Sequence, residues 1–169
     1  MDNYYERIQS KYKNSQGDST DLFKEIVSVA DEIGLDQALA HLENCVSEKR
    51  KAWIKKYLGK VKGTNQPVWD GYQLFYEIYL GLSVPEDGEI VEQSDHKIIT
   101  RWWNLCPTLD ACEKLGLDTR EICLKAYHKP VQELLIQINP NLRFERNYAC
   151  IRPYVPYCEE IIYLEERKP

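Results

Sequence analysis

Residues 88–103 have the sequence GEIVEQSDHKIITRWW, where the spacing of apolar residues changes from helical to strand-like. The runs 89–92 and 97–103 are short and rich in residues that favour strands, such as Ile, Val, Thr and Trp. Ser94 and Asp95 lie between the two runs and are typical turn residues. The stretch therefore predicts a β-hairpin, and with it a sheet, in the middle of the chain.

Before the hairpin, apolar residues recur every three to four positions, a spacing that predicts amphipathic helices. Helices are expected at four ranges: 2–14, 21–33, 36–58 and 67–82. Gly34 and Gly59 stand where the second and third helices should end, because glycine is common just after a helix C-terminus. Pro67 stands in the first turn of the fourth helix, a position that tolerates proline.

After the hairpin, the pattern predicts two further helices and two further strands. The helices are expected at 108–115 and from about 118 to 135, and the strands at 142–150 and 158–166. Pro130 lies inside the second of these helices and should kink it, since proline cannot donate the usual backbone hydrogen bond.

The predicted fold class is therefore α+β. A mainly helical half, residues 1–82, should pack with an antiparallel sheet of about four strands in a mixed, cysteine-rich half, residues 83–169. A weak division falls near residue 83, but neither half by itself could bury much surface. We therefore expect one domain over residues 1–169.

The composition of the chain limits its possible partners. The net charge is −5 and no long run of Lys and Arg occurs, which argues against nucleic acid. The basic residues at 49–51 and 55–56 are expected to form a solvated helix face. No apolar run approaches the roughly 18 residues that span a membrane, and the polar N-terminus lacks a signal-peptide core. The sequence predicts a cytoplasmic protein and leaves homo-oligomerisation open.

Five of the six cysteines fall between residues 106 and 158, whereas Cys45 is predicted to be a core thiol. Cys150 and Cys158 lie at the end of one predicted strand and the start of the next. Cys123, on the preceding helix, could pack over the same end of the sheet. Three interpretations stay open: buried apolar thiols, three thiolates that hold a zinc ion, or a redox or disulfide pair.

Several motifs of the second half occur in an order that resembles a known family. They are WNLCP at 103–107, Gly116, Cys123, INPNLRF at 138–144, Cys150 and Cys158. Over roughly residues 90–165 this order is similar to the L-2-amino-thiazoline-4-carboxylic acid hydrolase-like family and, more distantly, to the 4-vinyl reductase domain of bacterial sensors.

The resemblance implies two kinds of function. The hydrolase-like family is named for opening a small sulfur heterocycle at a C–N bond, and the 4-vinyl reductase domain binds small molecules. Some members of the latter hold zinc through cysteines placed like Cys123, Cys150 and Cys158. Those members carry a carboxylate shortly before the second cysteine, where this chain has Asn147. A Gly-Asp turn ahead of the last cysteine is replaced here by Pro156-Tyr157.

The density of aromatic residues favours a pocket for a flat organic ligand. The residues expected to line it are Tyr72, Tyr76, Trp102, Trp103, Phe144 and Tyr148. Strand alternation should turn either Glu159 or Glu160 inward, where burial would raise the pKa and suit a general acid or base. A solvated, outward pair of glutamates is the interpretation that we favour.

We therefore expect a small-molecule-binding protein, with zinc as a possible cofactor. An active hydrolase of small nitrogen or sulfur heterocycles is the first alternative, and a protein–protein interaction module with exposed aromatic residues is the second. No set of nucleophile, base and oxyanion donor stands out, so the sequence assigns no catalytic residues.

Overall fold

The structure is a computed structural model that describes residues 3–58 and 65–166. Its α-helices are α1 (Tyr4–Asn14), α2 (Thr20–Ile33), α3 (Leu35–Tyr57), α4 (Pro67–Tyr72), α5 (Pro107–Leu115), α6 (Thr119–Ile122) and α7 (His128–Leu135). Its strands are β1 (Gly88–Gln93), β2 (Lys97–Trp102), β3 (Leu142–Arg146) and β4 (Cys158–Leu164). The predicted α+β class and the four antiparallel strands are confirmed. Within the described ranges no helix is both long and apolar enough to cross a membrane.

The chain divides into two compact units, and their borders do not follow the division near residue 83. The first unit comprises the described residues up to Lys49 together with Cys106–Pro130, and the second comprises Arg50–Leu105 and the described residues from Val131 onward. The physical reason lies in the packing partners. Helix α5 comes after the hairpin but packs against α2, whereas α4 comes before the hairpin and packs against the sheet.

The first unit is built on the apolar faces that the helical spacing predicts. Its fully buried side chains include Ile8 of α1, Leu22, Phe23 and Ile26 of α2, and Leu39 and Leu42 of α3. Gly34 separates α2 from α3 with φ of 89°, a left-handed conformation that glycine adopts without strain. Gly34 thus ends the second helix as predicted.

The second unit contains a four-stranded sheet with the strand order β1-β2-β4-β3. Ser94 closes the β1–β2 hairpin, because its backbone N–H donates to the carbonyl oxygen of Lys97 at 2.8 Å. Gly88 at the start of β1 lies against β2, where a Cβ atom would clash with the carbonyl oxygen of Arg101 and the ring of Trp102. The hairpin predicted from residues 88–103 is therefore confirmed.

Alternation along the strands gives the sheet one buried face and one charged face. On β2, Ile98, Thr100 and Trp102 are buried, while Arg101 between them is partly exposed. Helix α4 packs against β2, β3 and β4. The core of the second unit therefore combines one sheet face with the aromatic side of the helix that begins at Pro67.

Two predicted long helices contain π-helical segments that the sequence pattern did not indicate. Helix α4 continues as a π-helix over Gln73–Tyr79, and a π-helix over Cys123–Tyr127 joins α6 to α7. The π-helix over Cys123–Tyr127 comes just before the first turn of α7, which contains Pro130. In a regular α-helix the proline ring would clash with the carbonyl group four residues earlier. The wider π turn accommodates this conflict, so the predicted disturbance at Pro130 takes the form of a π segment.

The third strand is shorter than predicted, because β3 ends at Arg146 and not at residue 150. Asn147 turns the chain: its carbonyl oxygen accepts from the Cys150 backbone N–H at 2.9 Å, and its side-chain oxygen accepts from the Ala149 N–H at 3.1 Å. Local hydrogen bonds of asparagine compete with a strand ladder in this way. The predicted helix end at Gly59 lies outside the described residues.

Candidate functional site

Four of the six aromatic residues predicted to line a pocket lie together in the core of the second unit. Tyr72, Tyr76, Trp102 and Phe144 are at most 3% exposed. The ring centroids of Tyr76 and Trp102 are 4.6 Å apart, and those of Tyr72 and Tyr76 are 5.5 Å apart. These distances are typical of packed aromatic pairs. A ligand would reach these rings only by displacing that packing.

The other two predicted pocket residues have different surroundings. Trp103 is 43% exposed, and its indole N–H donates to the carbonyl oxygen of Glu86 at 3.0 Å. Tyr148 is half-buried in the segment between β3 and β4. The structure therefore does not place all six residues around one accessible surface, and the predicted aromatic pocket stays a prediction.

Alternation along β4 turns Glu160 into the core and Glu159 toward the opposite face. Glu160 is 7% exposed, so the interpretation that both glutamates are solvated is wrong. Its Oε2 accepts from the Tyr76 hydroxyl at 2.6 Å, and its Oε1 accepts from Arg146 Nε at 2.9 Å and Nη2 at 2.8 Å. The antiparallel register explains the ion pair, because Arg146 and Glu160 are direct partners across β3 and β4.

The surroundings of Glu160 limit what it can do chemically. Burial, together with the negative charge of Glu160, holds the pKa of Tyr76 well above its ordinary value, so the phenol stays a proton donor. The backbone oxygen of Glu160 accepts from the Thr100 hydroxyl at 3.4 Å, and that hydroxyl accepts from the Trp102 indole at 2.8 Å. A buried carboxylate that accepts three hydrogen bonds from an arginine and a tyrosine is a structural element of the sheet.

Glu159 belongs to a polar ladder on the other face of the sheet. Its carboxylate accepts from Asn147 Nδ2 at 3.1 Å and from Arg101 Nε at 2.9 Å. These hydrogen bonds, that of Asn147 first, hold the pKa of Glu159 below its ordinary value. The guanidinium of Arg101 also lies over the Tyr157 ring, 4.6 Å from its centroid. This ladder links β2, β4 and the segment that follows β3.

The three cysteines predicted to hold zinc are divided between the units. Cys123 belongs to the first unit, and Cys150 and Cys158 belong to the second. Within residues 3–58 and 65–166, no group of three or more His, Cys, Asp or Glu side chains could hold a metal ion. Zinc binding stays a prediction that metal analysis can test.

Cys123 has other cysteines as neighbours in its own unit. Burial raises the pKa of the Cys112 thiol to about 12, and the nearby thiols of Cys123 and Cys106 add to the effect. The sulfur of Cys106 accepts from the Leu109 backbone N–H at 3.5 Å, at the start of α5. Such a thiol near the beginning of a short helix acts as a cap, a role that sequence spacing did not indicate.

A cleft of about 550 Å³ lies between α1 and α3 in the first unit. Its lining residues come from one face of each helix and from the end of α1: Gln9, Tyr12, Lys13, Ser15, Gln16, Cys45, Glu48 and Lys49. The spacing of three and four residues along each helix places these side chains on one surface. Sequence analysis did not find this site.

The charges in the cleft are arranged asymmetrically. Glu48 accepts a hydrogen bond of 2.6 Å from the Tyr5 hydroxyl. The ammonium group of Lys49 lies 5.4 Å from the centroid of the Tyr12 ring. Within the described part of the chain, neither Lys13 nor Lys49 forms an ion pair with a carboxylate. Two exposed cations thus face the cleft while its carboxylate is hydrogen-bonded to a neutral phenol.

The signal for this site was present in the sequence but incomplete. Gln9 and Lys13 recur at helical spacing on α1, as do Cys45 and Lys49 on α3. Such a pattern equally describes a solvated helix face. Only the packing of the two helices shows that they leave a cleft between them.

Comparisons with protein families, with curated proteins and with solved structures found no match for this chain. The fold and site define an α+β protein with a polar interhelical cleft in one unit and a buried ion pair in the other. The resemblance to the hydrolase-like family stays a prediction.

Proposed function

We propose that this protein binds a small organic anion, in the cytoplasm, through the cleft between α1 and α3. The observation that carries the proposal is the pair of ammonium groups, Lys13 and Lys49, on a cleft that also exposes the ring of Tyr12. A volume of about 550 Å³ falls within the range of small-molecule sites, roughly 300–1,000 Å³. Ammonium groups supply charge, and the ring supplies an apolar surface.

The polar residues of the cleft fit the same ligand class. The side-chain amides of Gln9 and Gln16 can donate hydrogen bonds to a carboxylate or a phosphate. Glu48 disfavours a second negative charge in its vicinity, but its carboxylate is already engaged by Tyr5. A monoanion that carries an aromatic or other flat group can pair with the lysine ammonium groups and pack against the ring of Tyr12.

Binding is better supported than covalent catalysis in this cleft. Burial raises the pKa of the Cys45 thiol, which keeps the sulfur protonated and weakly nucleophilic. The Ser15 hydroxyl donates to the carbonyl oxygen of Tyr12 at 2.8 Å. The Cys45 thiol is therefore not activated, and the Ser15 hydroxyl is engaged in a hydrogen bond. The cleft gives less support to the hydrolase alternative than to binding.

A titration followed by nuclear magnetic resonance tests the proposal. Benzoate should cause saturable shifts of backbone amides in α1 and in residues 45–49, whereas phenol and benzylammonium should bind much more weakly. The double variant K13E/K49E should weaken benzoate binding about tenfold or more. K24E, which changes an exposed lysine of α2 outside the cleft lining, is the matched control and should bind normally. Equal binding of benzylammonium, or an unchanged affinity in K13E/K49E, would contradict the proposal.

A further inference from the structure

Cys150 and Cys158 are close along the backbone of the second unit. The Glu159 N–H donates to the carbonyl oxygen of Cys150 at 2.9 Å. Two covalent bonds separate each cysteine α-carbon from the bonded atom, so the α-carbons lie within about 8 Å of each other. Disulfides join α-carbons roughly 4.4–6.8 Å apart, so at most a small adjustment of the chain would allow a bond.

The side chain of Cys158 faces the segment that carries Cys150. Its sulfur accepts from the backbone N–H of Arg152 at 3.5 Å, and Arg152 is only two residues after Cys150. Both cysteines are partly exposed and carry free thiols. The segment between β3 and β4 contains local turns, with no ladder of strand pairs to hold it. Both residues therefore lie at a partly exposed edge of the second unit.

Arg152 also gives Cys158 electropositive surroundings. The guanidinium Nε lies 3.5 Å from the Cys158 sulfur. Its Nη1 donates to the carbonyl oxygen of Asn104 at 2.6 Å, and its Nη2 donates to the side-chain oxygen of the same residue at 3.4 Å. These bonds fix the positive charge beside the sulfur. An adjacent arginine is a common feature of cysteines that react as nucleophiles.

We propose that Cys158 is a peroxide-sensitive thiol and that Cys150 resolves its oxidised form as a reversible disulfide. In the first step the Cys158 sulfur attacks one oxygen of hydrogen peroxide, the O–O bond breaks, and a sulfenic acid and one water form. In the second step the Cys150 sulfur attacks the sulfenic sulfur, and the hydroxyl leaves as a second water. Two thiols and one peroxide thus give one disulfide and two waters. A dithiol reductant reverses the reaction.

The other cysteines provide a contrast within the same chain. Cys45 and Cys112 are buried, and burial raises the pKa of each thiol. Cys106 and Cys123 are partly exposed but belong to the first unit. Oxidation should start at Cys158, because its sulfur has the guanidinium of Arg152 beside it. Cytosolic disulfides of this kind are usually transient and redox-sensing.

The test treats the reduced full-length chain with hydrogen peroxide and counts thiols after denaturation. The count should fall from six to four, and peptide mapping should find Cys150 linked to Cys158. In C150S, dimedone should trap a sulfenic acid on Cys158. In C158S, Cys150 should keep its thiol. C123S, which removes a partly exposed thiol of the first unit, is the matched control and should form the same link.

The role of Arg152 has its own measurement, namely the rate of thiol loss. R152Q removes the charge and should slow the loss severalfold, whereas R152K keeps a positive charge and should react at a rate closer to the native one. Linkage of any other two cysteines would overturn the proposal. So would full alkylation of Cys150 and Cys158 after peroxide treatment, or a dimedone adduct on Cys150 in place of Cys158.

Discussion

The hydroxyl of Tyr76 donates a 2.6 Å hydrogen bond to Oε2 of Glu160, although 84 residues separate the two in the chain. Tyr76 lies in the π-helix Gln73–Tyr79, and Glu160 lies in β4 with its side chain toward the core. The other carboxylate oxygen, Oε1, accepts a hydrogen bond from Arg146. The hydrogen bond thus fixes the π-helix over the centre of the sheet through a fully buried contact.

Substitution of Tyr76 by phenylalanine should destabilise the protein without changing its fold. The ring volume stays, but one oxygen of the buried carboxylate loses its donor, which costs about 2 kcal/mol. Chemical denaturation of Y76F measures this loss in the free energy of unfolding. Y79F is the matched control, because the Tyr79 hydroxyl forms no hydrogen bond with the described residues, and it should change stability by less than about 0.5 kcal/mol. Equal effects of the two variants would show that the Tyr76–Glu160 bond contributes nothing.

The depressed pKa of Glu159 predicts a specific dependence of stability on pH. Because the folded pKa lies below the unfolded value, ionised Glu159 stabilises the fold above about pH 4.3, and this contribution is lost as the pH falls through the folded pKa. E159Q should therefore be less stable than the native protein at pH 7, and the difference should shrink at strongly acidic pH. Urea denaturation at several pH values gives the two curves. E113Q, at an exposed position without an ion pair among the described residues, should leave the curve unchanged.

The sequence predicted elements where local signals agree with the packing. The hairpin at residues 88–103 has alternation, β-branched residues and turn residues, and the structure contains it with Ser94 in the turn. The ends of β3 and of the fourth helix were predicted less well. The sequence around Asn147 is compatible with a strand or a turn. The chain turns there, and the side-chain oxygen of Asn147 accepts a hydrogen bond from the Ala149 N–H. In the π-helix after Tyr72, the Tyr76 hydroxyl donates to Glu160 of β4, a long-range contact that local spacing does not encode.

Residues at the site were harder to predict than the fold, because their roles depend on partners that are distant in sequence. Glu160 follows Glu159 directly, yet one is paired with Arg146 in the core and the other with Arg101 on the opposite face. Strand alternation indicates that the two glutamates point to opposite faces of the sheet, but it does not indicate which of them is buried. Cys123 belongs to the same unit as α5, α6 and the N-terminal helices, and the order of elements along the chain does not indicate this assignment.

Metal analysis distinguishes the zinc hypothesis from the disulfide proposal. Zinc at Cys123, Cys150 and Cys158 would contribute to folding, since an unfolded chain has no preformed site. If Cys150 and Cys158 are instead the free thiols of the disulfide proposal, purified, reduced protein should contain no stoichiometric zinc. The melting temperature should then be the same with and without a chelator. Copurified zinc that is lost in C150S, together with a lower melting temperature after chelation, would restore the zinc hypothesis.

Arg50 does not lie on a solvated helix face as the basic run at 49–51 suggested. It is 8% exposed, and its guanidinium lies 5.4 Å from the ring centroids of both Phe75 and Tyr79. Its Nε and Nη1 are buried and have no hydrogen-bond partner among the described residues. Each unmade hydrogen bond of a buried group costs about 1–3 kcal/mol, whereas a cation–π contact contributes about 0.5–2 kcal/mol. The apolar packing of the side chain, and not its charge, should therefore carry its contribution to stability.

Replacement of Arg50 by methionine should test this balance. R50M keeps a long apolar stem against the two rings and removes the unpaired donors, so we expect the free energy of unfolding to rise by about 1 kcal/mol. R50A, which also removes the stem, should lower it by a similar amount or more, because the rings lose their packing partner. Lys55 of the same helix is exposed and forms no ion pair with the described residues, so K55M is the matched control for a change of net charge and should have little effect. A loss of stability in R50M as large as that in R50A would show that the cation–π contacts outweigh the cost of the buried donors.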